Sequence, residues 1–263
     1  ETWAHTPPSW PVGPDAVEEL PHLVEAHGVL SLRSRHPGSD GGALLIEATP
    51  GGGRFHAVDG RRRRLLSARG LRRLVERRVA SRPQLLQAVV PSALYRRRRF
   101  EVRVAVQRDG EGSWRVPAGI AVVAGGGSWG AGGQRGAAFV SPKDMATAAV
   151  LPCRDVLDEI FGSVRAWEIW SGVSHLAIAA AEVLAGHLPG LVDCTVAIVV
   201  DSMGRPWIRD FDLRETRAAW RRAGDPRVYA ELYHNPIAYA HHVLSRAGVS
   251  LSEGALYEGV WRG

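Results

Sequence analysis

Residues 100–107, FEVRVAVQ, alternate without a break, with Phe100, Val102, Val104 and Val106 on one side and Glu101, Arg103, Ala105 and Gln107 on the other. A two-residue period marks a β-strand with one face in a core. The run enters the turn RDGEGS, and VPAGIAVVAG (116–125) returns as its partner. TVAIVVD (195–201) and RPWIRDFD (205–212) form a second hairpin around SMG. VLSL (29–32), ALLIEA (43–48), RFHAV (54–58) and QLLQAVVPS (84–92) read as further strands.

Helical patterns lie between them. AVEELPHLVEAHG has near-helical apolar spacing and stops at Gly28. SARGLRRLVERRVAS (67–81) carries an apolar stripe of Leu71, Leu74, Val75 and Val79. Two helices are expected at roughly 153–166 and 173–187, the second apolar almost all round and so deeply buried. Asn235 and Pro236 supply a cap and first-turn proline for a last helix over 235–247. LRETRAAWRRAGDP (213–226) reads as irregular. The pattern predicts an α/β (α+β) chain of two mixed lobes, 28–92 and 93–248, with a ligand cleft between them. Residues 1–27 read as an irregular segment and helix left from an upstream region, since the first residue is Glu, and 249–263 as a tail.

Charge narrows the partners. The formal net charge is +6 and the pI about 10.0, which favours a nucleotide, a nucleic acid or an acidic polymer. Of the 33 basic residues only Lys143 is lysine. Such a bias fits a GC-rich genome, so the arginine runs need not be binding patches. Arg61–Arg64 read as a solvated face or turn. The tract YRRRRF (95–100) is either a polyanion patch or the lead-in to the strand that follows it. Cys153 and Cys194 have no paired spacing, which fits a reducing cytosol and excludes a disulfide framework or zinc site. No uninterrupted apolar run approaches the ~18 residues of a membrane span, and no signal peptide is visible. A cytoplasmic location is expected.

Two strands carry candidate chemistry. Asp210 and Asp212 share a face, about 7 Å apart at their α-carbons, with Trp207, Arg209 and Phe211 on the other. Two neighbouring carboxylates repel unless a cation lies between them, and Mg²⁺ holding phosphate oxygens satisfies that arrangement. Spacing alone also fits an exposed edge strand with two solvated acids. Glu101 and Arg103 can converge on a phosphate or carboxylate, or can be a surface pair. The loop RSRHPGSDGG adds Arg33, Arg35 and anion-closing glycines without a Walker sequence. A second glycine-rich loop spans 125–138.

His241 and His242 point about 100° apart on a helix and are poor chelators. His175 and His187 read as structural, and Cys194 has no base at readable spacing. Trp129, Trp167, Trp170 and Trp220 could line a cleft, though most tryptophans belong to cores or lobe interfaces.

The order of these pieces resembles the ATP-grasp fold. More closely, the chain resembles the YheC/YheD family of endospore coat-associated ATP-grasp proteins. The resemblance rests on ETW (1–3), LLQAVVPSALYRRRRFEVRVAVQRDGEGSW (85–114), VVAGGGS (122–128), QRG (134–136), VVDSMGRPWIRDFD (199–212), GDP (224–226) and NPIAYAHHVL (235–244). It implies ATP and Mg²⁺ as cofactors and an ATP-dependent carboxylate–amine ligase as the ancestral activity. Adenine would lie against Gln87, Ala88 and Val90, phosphates on Arg33 and Arg103, and metal on Asp210 and Asp212, with Glu101 and Arg103 at the catalytic centre. On this reading the tetra-arginine is a connector.

Several positions depart from that pattern. Asp210 and Asp212 replace Glu and Asn, Arg33 replaces Lys, Glu101 replaces Asp, and Gly132 replaces Asn. Ala197 stands where an acid is expected and Val122 where an arginine is expected. Losing a metal ligand and a phosphate-binding arginine costs on the order of a thousandfold in rate. The expected state is therefore a degenerate centre that retains the nucleotide cleft. The alternatives are a non-catalytic scaffold on the forming spore, binding acidic coat proteins or polymers, and a nucleic-acid binder using the arginine runs. The last lacks aromatic interleaving and ranks below the others.

Overall fold

The computed structural model describes residues 5–34, 43–59, 62–124, 148–213 and 218–248. The first sheet contains β1 (Ser9–Pro11), β2 (Val29–Ser34), β3 (Leu44–Ala48), β4 (Arg54–Asp59), β5 (Arg62–Ser67) and β6 (Gln84–Ala88), ordered β1-β6-β2-β3-β4-β5. Every pair is antiparallel. Helices α1 (Pro14–His27) and α2 (Ala68–Ser81) cover one face and bury Val17, Leu20 and Val24 with Leu71 and Val75 against Leu30, Leu32, Ile46 and Phe55.

This lobe reaches further back in the chain than the sequence reading placed it. β1 pairs with β6, and α1 sits in the core, so residues 9–27 belong to this lobe. Arg62–Arg64 of the arginine run lie on an exposed edge strand, β5, the solvated face of the two readings. Charged side chains suit such an edge because they discourage pairing with another chain.

The second sheet is ordered β10-β9-β8-β11-β12, from β8 (Arg98–Arg108), β9 (Trp114–Val123), β10 (Ala149–Pro152), β11 (Asp193–Val200) and β12 (Pro206–Asp212). The two-residue strand β7 (Leu94–Tyr95) pairs with the start of β8. Between them Arg96 and Arg97 have φ of 47° and 63°. The basic tract is thus a tight hairpin turn, whose two left-handed positions favour Asn-Gly over arginine. Arg96 is anchored there by two 2.8 Å bonds to Glu159.

Helices α3 (Cys153–Phe161) and α4 (Ser163–His187) cover one face of this sheet. They meet at Gly162, φ 78°, so the expected break after residue 166 lies earlier and α4 is one long helix. Among the described residues α4 alone is long and apolar enough to cross a membrane by length and composition. Arg165, Glu168, His175 and Glu182 interrupt it, which hid it from a search for unbroken apolar runs. Ile169, Val173, Ala177 and Ala180 pack on the sheet, whereas Val164 and Trp167 face outward, so burial is one-sided.

The opposite face is covered in part by α5 (Ala218–Arg222) and α6 (Pro226–Arg246), through Trp220 and Leu232. α6 starts nine residues before the expected Asn235. Asp225 and Pro226 carry the same cap-plus-proline signature, and Asp225 accepts from the Arg227 and Val228 amides. Pro236 then falls inside the helix and has no N–H for the Leu232 carbonyl. Gln107 Nε2 donates to that oxygen at 2.9 Å, and Gln107 Oε1 receives Asn235 Nδ2 at 3.3 Å. One polar residue of β8 thereby satisfies a defect in a helix packed on it.

Candidate functional site

β11 lies between β8 and β12 and brings their candidate residues onto one face. Ala197 is paired with Arg103 on one side and with Asp210 on the other. Thr195 likewise stands between Ala105 and Asp212. The expected acid at 197 would have stood at the centre of the face, and Ala197 offers no ligand there. On the other flank Glu101 pairs with Val122, which is fully buried and apolar where an arginine is expected.

Sequence alternation assigned Arg209 to the side away from Asp210, and the structure corrects this. The register slips at Ala197/Ile198, with Asp210 opposite Ala197 but Ile208 opposite Ile198. Arg209 is the extra residue of a β-bulge, and a bulge re-aims a side chain across the normal alternation. Arg209 Nη2 lies 2.9 Å from Glu101 Oε2, while Arg103 Nε donates to Glu101 Oε1 at 3.2 Å. Glu101 is 1% exposed and is held between two guanidinium groups. The Arg209 approach is ionic, since no N–H is aimed at Oε2.

The first lobe contributes Arg33, near the end of β2. Its Nη1 lies 2.7 Å from Asp210 Oδ2, and its Nη2 donates to the Arg209 carbonyl at 3.1 Å. The planar fork spans two acceptors on one strand, a geometry that the single charged point of a lysine does not offer. This contact joins the two sheets at the cleft.

The Gln87–Val90 connector is less open than its expected adenine role suggests. Gln87 is buried and donates to Ser9 Oγ at 3.0 Å. The Ala88 amide donates to Pro8 O, and the Val89 amide to Val29 O. Pro8 has no N–H to return to the Ala88 carbonyl. Among the described residues, no acceptor engages the Val90 amide. The Ala88 carbonyl and Val90 amide are therefore the backbone groups suited to a base edge, and the Gln87 side chain is committed to the fold.

Two residues outside the sequence-derived set sit on these faces. Arg99 precedes Glu101 by two residues and shares its face; its Nη1 is buried with no acceptor among the described residues, and burial pulls the guanidinium below its ordinary pKa. Ser31, two residues before Arg33, has a buried Oγ that is likewise unpartnered. Alternation could have placed Arg99 beside Glu101, but only the three-dimensional packing shows that its Nη1 has no acceptor among the described residues. A cavity of about 50 Å³ lies below Asp212, lined by Gln107, Thr195 and Trp220. A more open one of about 580 Å³, beside Arg108, Trp114 and Glu182, touches none of the candidate residues.

The remaining candidates separate from the site. Burial pushes the Cys194 thiol up to about 12, with Asp193 adding to the shift, so it is no nucleophile. Trp167 faces outward, Trp170 packs over Gly119, and Trp220 is buried on the cleft face of the second sheet. Arg35, Trp129, Gly132 and the 125–138 loop lie outside the described residues.

Mg²⁺ usually needs only one or two carboxylates together with substrate phosphates. Here Asp210 already receives Arg33, and Ala197 is no ligand. Among the described residues no group of three His, Cys, Asp or Glu side chains could hold a metal. The donor set fits a protein-held divalent ion poorly.

Two antiparallel sheets, flanked by helices and joined at the cleft by Arg33 and Asp210, define an α+β ATP-grasp fold. Solved structures agree. The D-alanine–D-alanine ligase of Bacillus anthracis matches with a TM-score of 0.53 at 14% identity, over 93% of this chain and 64% of that one. D-alanyl-alanine synthetase A from Vibrio cholerae O1 biovar eltor gives 0.51 at 10% identity, over 91% and 60%. The D-alanine–D-alanine ligase from Coxiella burnetii gives 0.51 at 10%, over 93% and 55%. The chain thus spans 55–64% of the length of these three ligases. No curated protein sequence matches it. The YheC/D-like ATP-grasp family model matches residues 17–243, and the chain belongs to that family.

Proposed function

We propose that this chain is a nucleotide-binding member of an ATP-dependent, ligase-like family whose own carboxylate–amine ligase centre is degenerate. The observation that carries the reading is Ala197. It pairs with both Arg103 and Asp210, and an acid there would face the reacting phosphates. Val122 beside Glu101 supports the same reading, because a buried valine cannot neutralise developing phosphate charge. The backbone pair Ala88 and Val90 would take the base, and Arg33 and Arg103 the phosphates.

Calorimetry with ATP, paired with an assay of ADP formation over a panel of amino acids and amines, tests this. Micromolar binding without turnover is expected, with Ala197→Asp combined with Val122→Arg raising ADP formation. Wild-type turnover at the rate of an active ligase, or no ATP binding, refutes it.

A scaffold role on the forming spore has a separate observation behind it. Arg62 and Arg64 on β5 and Arg69, Arg73 and Arg77 on α2 are exposed and, among the described residues, carry no acid partner. Such a face suits an acidic coat protein or polymer, and it lies away from the cleft residues. The two roles are compatible in one chain.

A further inference from the structure

Among the described residues the cleft carries more basic than acidic side chains. The described strands place four guanidinium groups there, of Arg33, Arg99, Arg103 and Arg209, against three carboxylates, of Glu101, Asp210 and Asp212, and Arg33, Arg103 and Arg209 are paired with Asp210 and Glu101. Glu101 lies buried between Arg103 and Arg209. Arg33 sits on Asp210, where a divalent cation would have to bind. A cation approaching Asp210 must displace that guanidinium and come close to Arg103 and Arg209, which repel it. A polyphosphate meets the opposite situation. Arginine forks match phosphate oxygens in paired, charge-assisted hydrogen bonds. The Arg33 pair is also exchangeable, because the Asp210 side chain is 50% exposed and water can solvate it once Arg33 leaves.

We infer that this cleft binds a nucleoside polyphosphate without a divalent cation, with Arg33 and Arg99 neutralising the phosphates by direct contact. Arg99 supplies the independent observation. Its Nη1 is buried on the face of Glu101 and, among the described residues, has no acceptor, so the fold holds a partly buried cation with an N–H open to a ligand. A buried donor without a partner is costly and calls for an explanation. An anionic ligand provides one. The inference rests on the nucleotide-binding reading and specifies the charge carrier within it.

The test is calorimetry of ADP and ATP on the wild-type chain in EDTA and in millimolar Mg²⁺. Affinity in EDTA within threefold of that in Mg²⁺, or tighter, is expected, since Mg²⁺ on the nucleotide masks the charge that the arginines recognise. In EDTA, Arg33→Met and Arg99→Met should each weaken binding by about tenfold or more, the effect of losing a hydrogen bond to a charged group. Thermal melts confirm that each variant is folded. Binding more than threefold weaker in EDTA overturns the inference and leaves the nucleotide-binding reading intact. Binding in neither buffer overturns both. Metal-independent binding unaffected by either arginine variant overturns the assignment of the phosphates to them.

Discussion

The two faces of the second sheet are built on opposite principles. Toward α3 and α4, β8 presents Phe100, Val102, Val104 and Val106, and β11 presents Val196 and Ile198, a continuous apolar surface. Toward the cleft the same strands present Glu101, Arg103 and Gln107, with Arg209 added by the bulge. The helices on that side, α5 and α6, pack on an apolar patch that includes Ala105, Ala118, Ile120 and Val122. One face gains its order from packing. The other depends on specific pairing of buried charges and polar groups, which contributes little net stability and makes each partner hard to remove.

The largest expected effect therefore comes from the polar face. Glu101→Ala leaves Arg103 and Arg209, each with a side chain 12% exposed, facing each other without the carboxylate between them. Removing one partner of a buried ion pair costs about 3–5 kcal/mol. Urea denaturation should show that loss as a lower midpoint at unchanged slope. A loss under about 1 kcal/mol would mean that the arginines reach water or another acid, and the contrast between the faces would fail.

The apolar face is tested by overpacking. A β-carbon at Gly119 would meet two Trp170 ring atoms at 2.2 and 2.4 Å, closer than real contacts allow. Gly119→Ala must push the indole away from β9, and overpacking of this kind costs about 1–3 kcal/mol. The same denaturation experiment, followed by tryptophan fluorescence, should report a destabilised chain with an altered indole environment. Since Gly119 lies on the sheet face opposite Glu101, the two substitutions should be nearly additive.

The degree to which this contrast is legible in sequence varies residue by residue. Strict alternation in FEVRVAVQ is enough to separate the two faces of β8, and Gly28 marks the end of α1. Arg209 is different. Its direction depends on a one-residue slip against β11, and alternation within β12 carries no information about its partner's register. The start of α6 is ambiguous for a local reason, because Asp225-Pro226 and Asn235-Pro236 are equivalent helix-start signals. What decides between them is Gln107, 125 residues from Leu232 in sequence, satisfying the carbonyl that Pro236 leaves open. Arg99 is legible as a position on the cleft face, but its lack of an acceptor is a property of the assembled lobe.

The smallest stability effect sits at the lobe junction and discriminates most sharply between two roles for one carboxylate. Arg33–Asp210 is a partly exposed pair, with side chains 20% and 50% exposed. Such pairs contribute about 0–1 kcal/mol, so Asp210→Ala should barely move the denaturation midpoint. Its effect on nucleotide binding depends on what Asp210 does. A carboxylate that holds Mg²⁺ for the phosphates is required, and removing it abolishes binding. A carboxylate that only occupies Arg33 competes with the phosphates, and removing it releases the guanidinium for them. The geometry favours competition, because Ala197 opposite Asp210 cannot complete a metal site and Arg33 already holds the oxygen at 2.7 Å. Asp210→Ala should therefore bind ADP in EDTA at least as tightly as the wild type, and calorimetry on the two proteins side by side reads this directly. Binding in millimolar Mg²⁺ that the wild type shows and the variant loses would restore Asp210 as a metal ligand and make the Arg33 contact the resting state of an otherwise metal-dependent cleft.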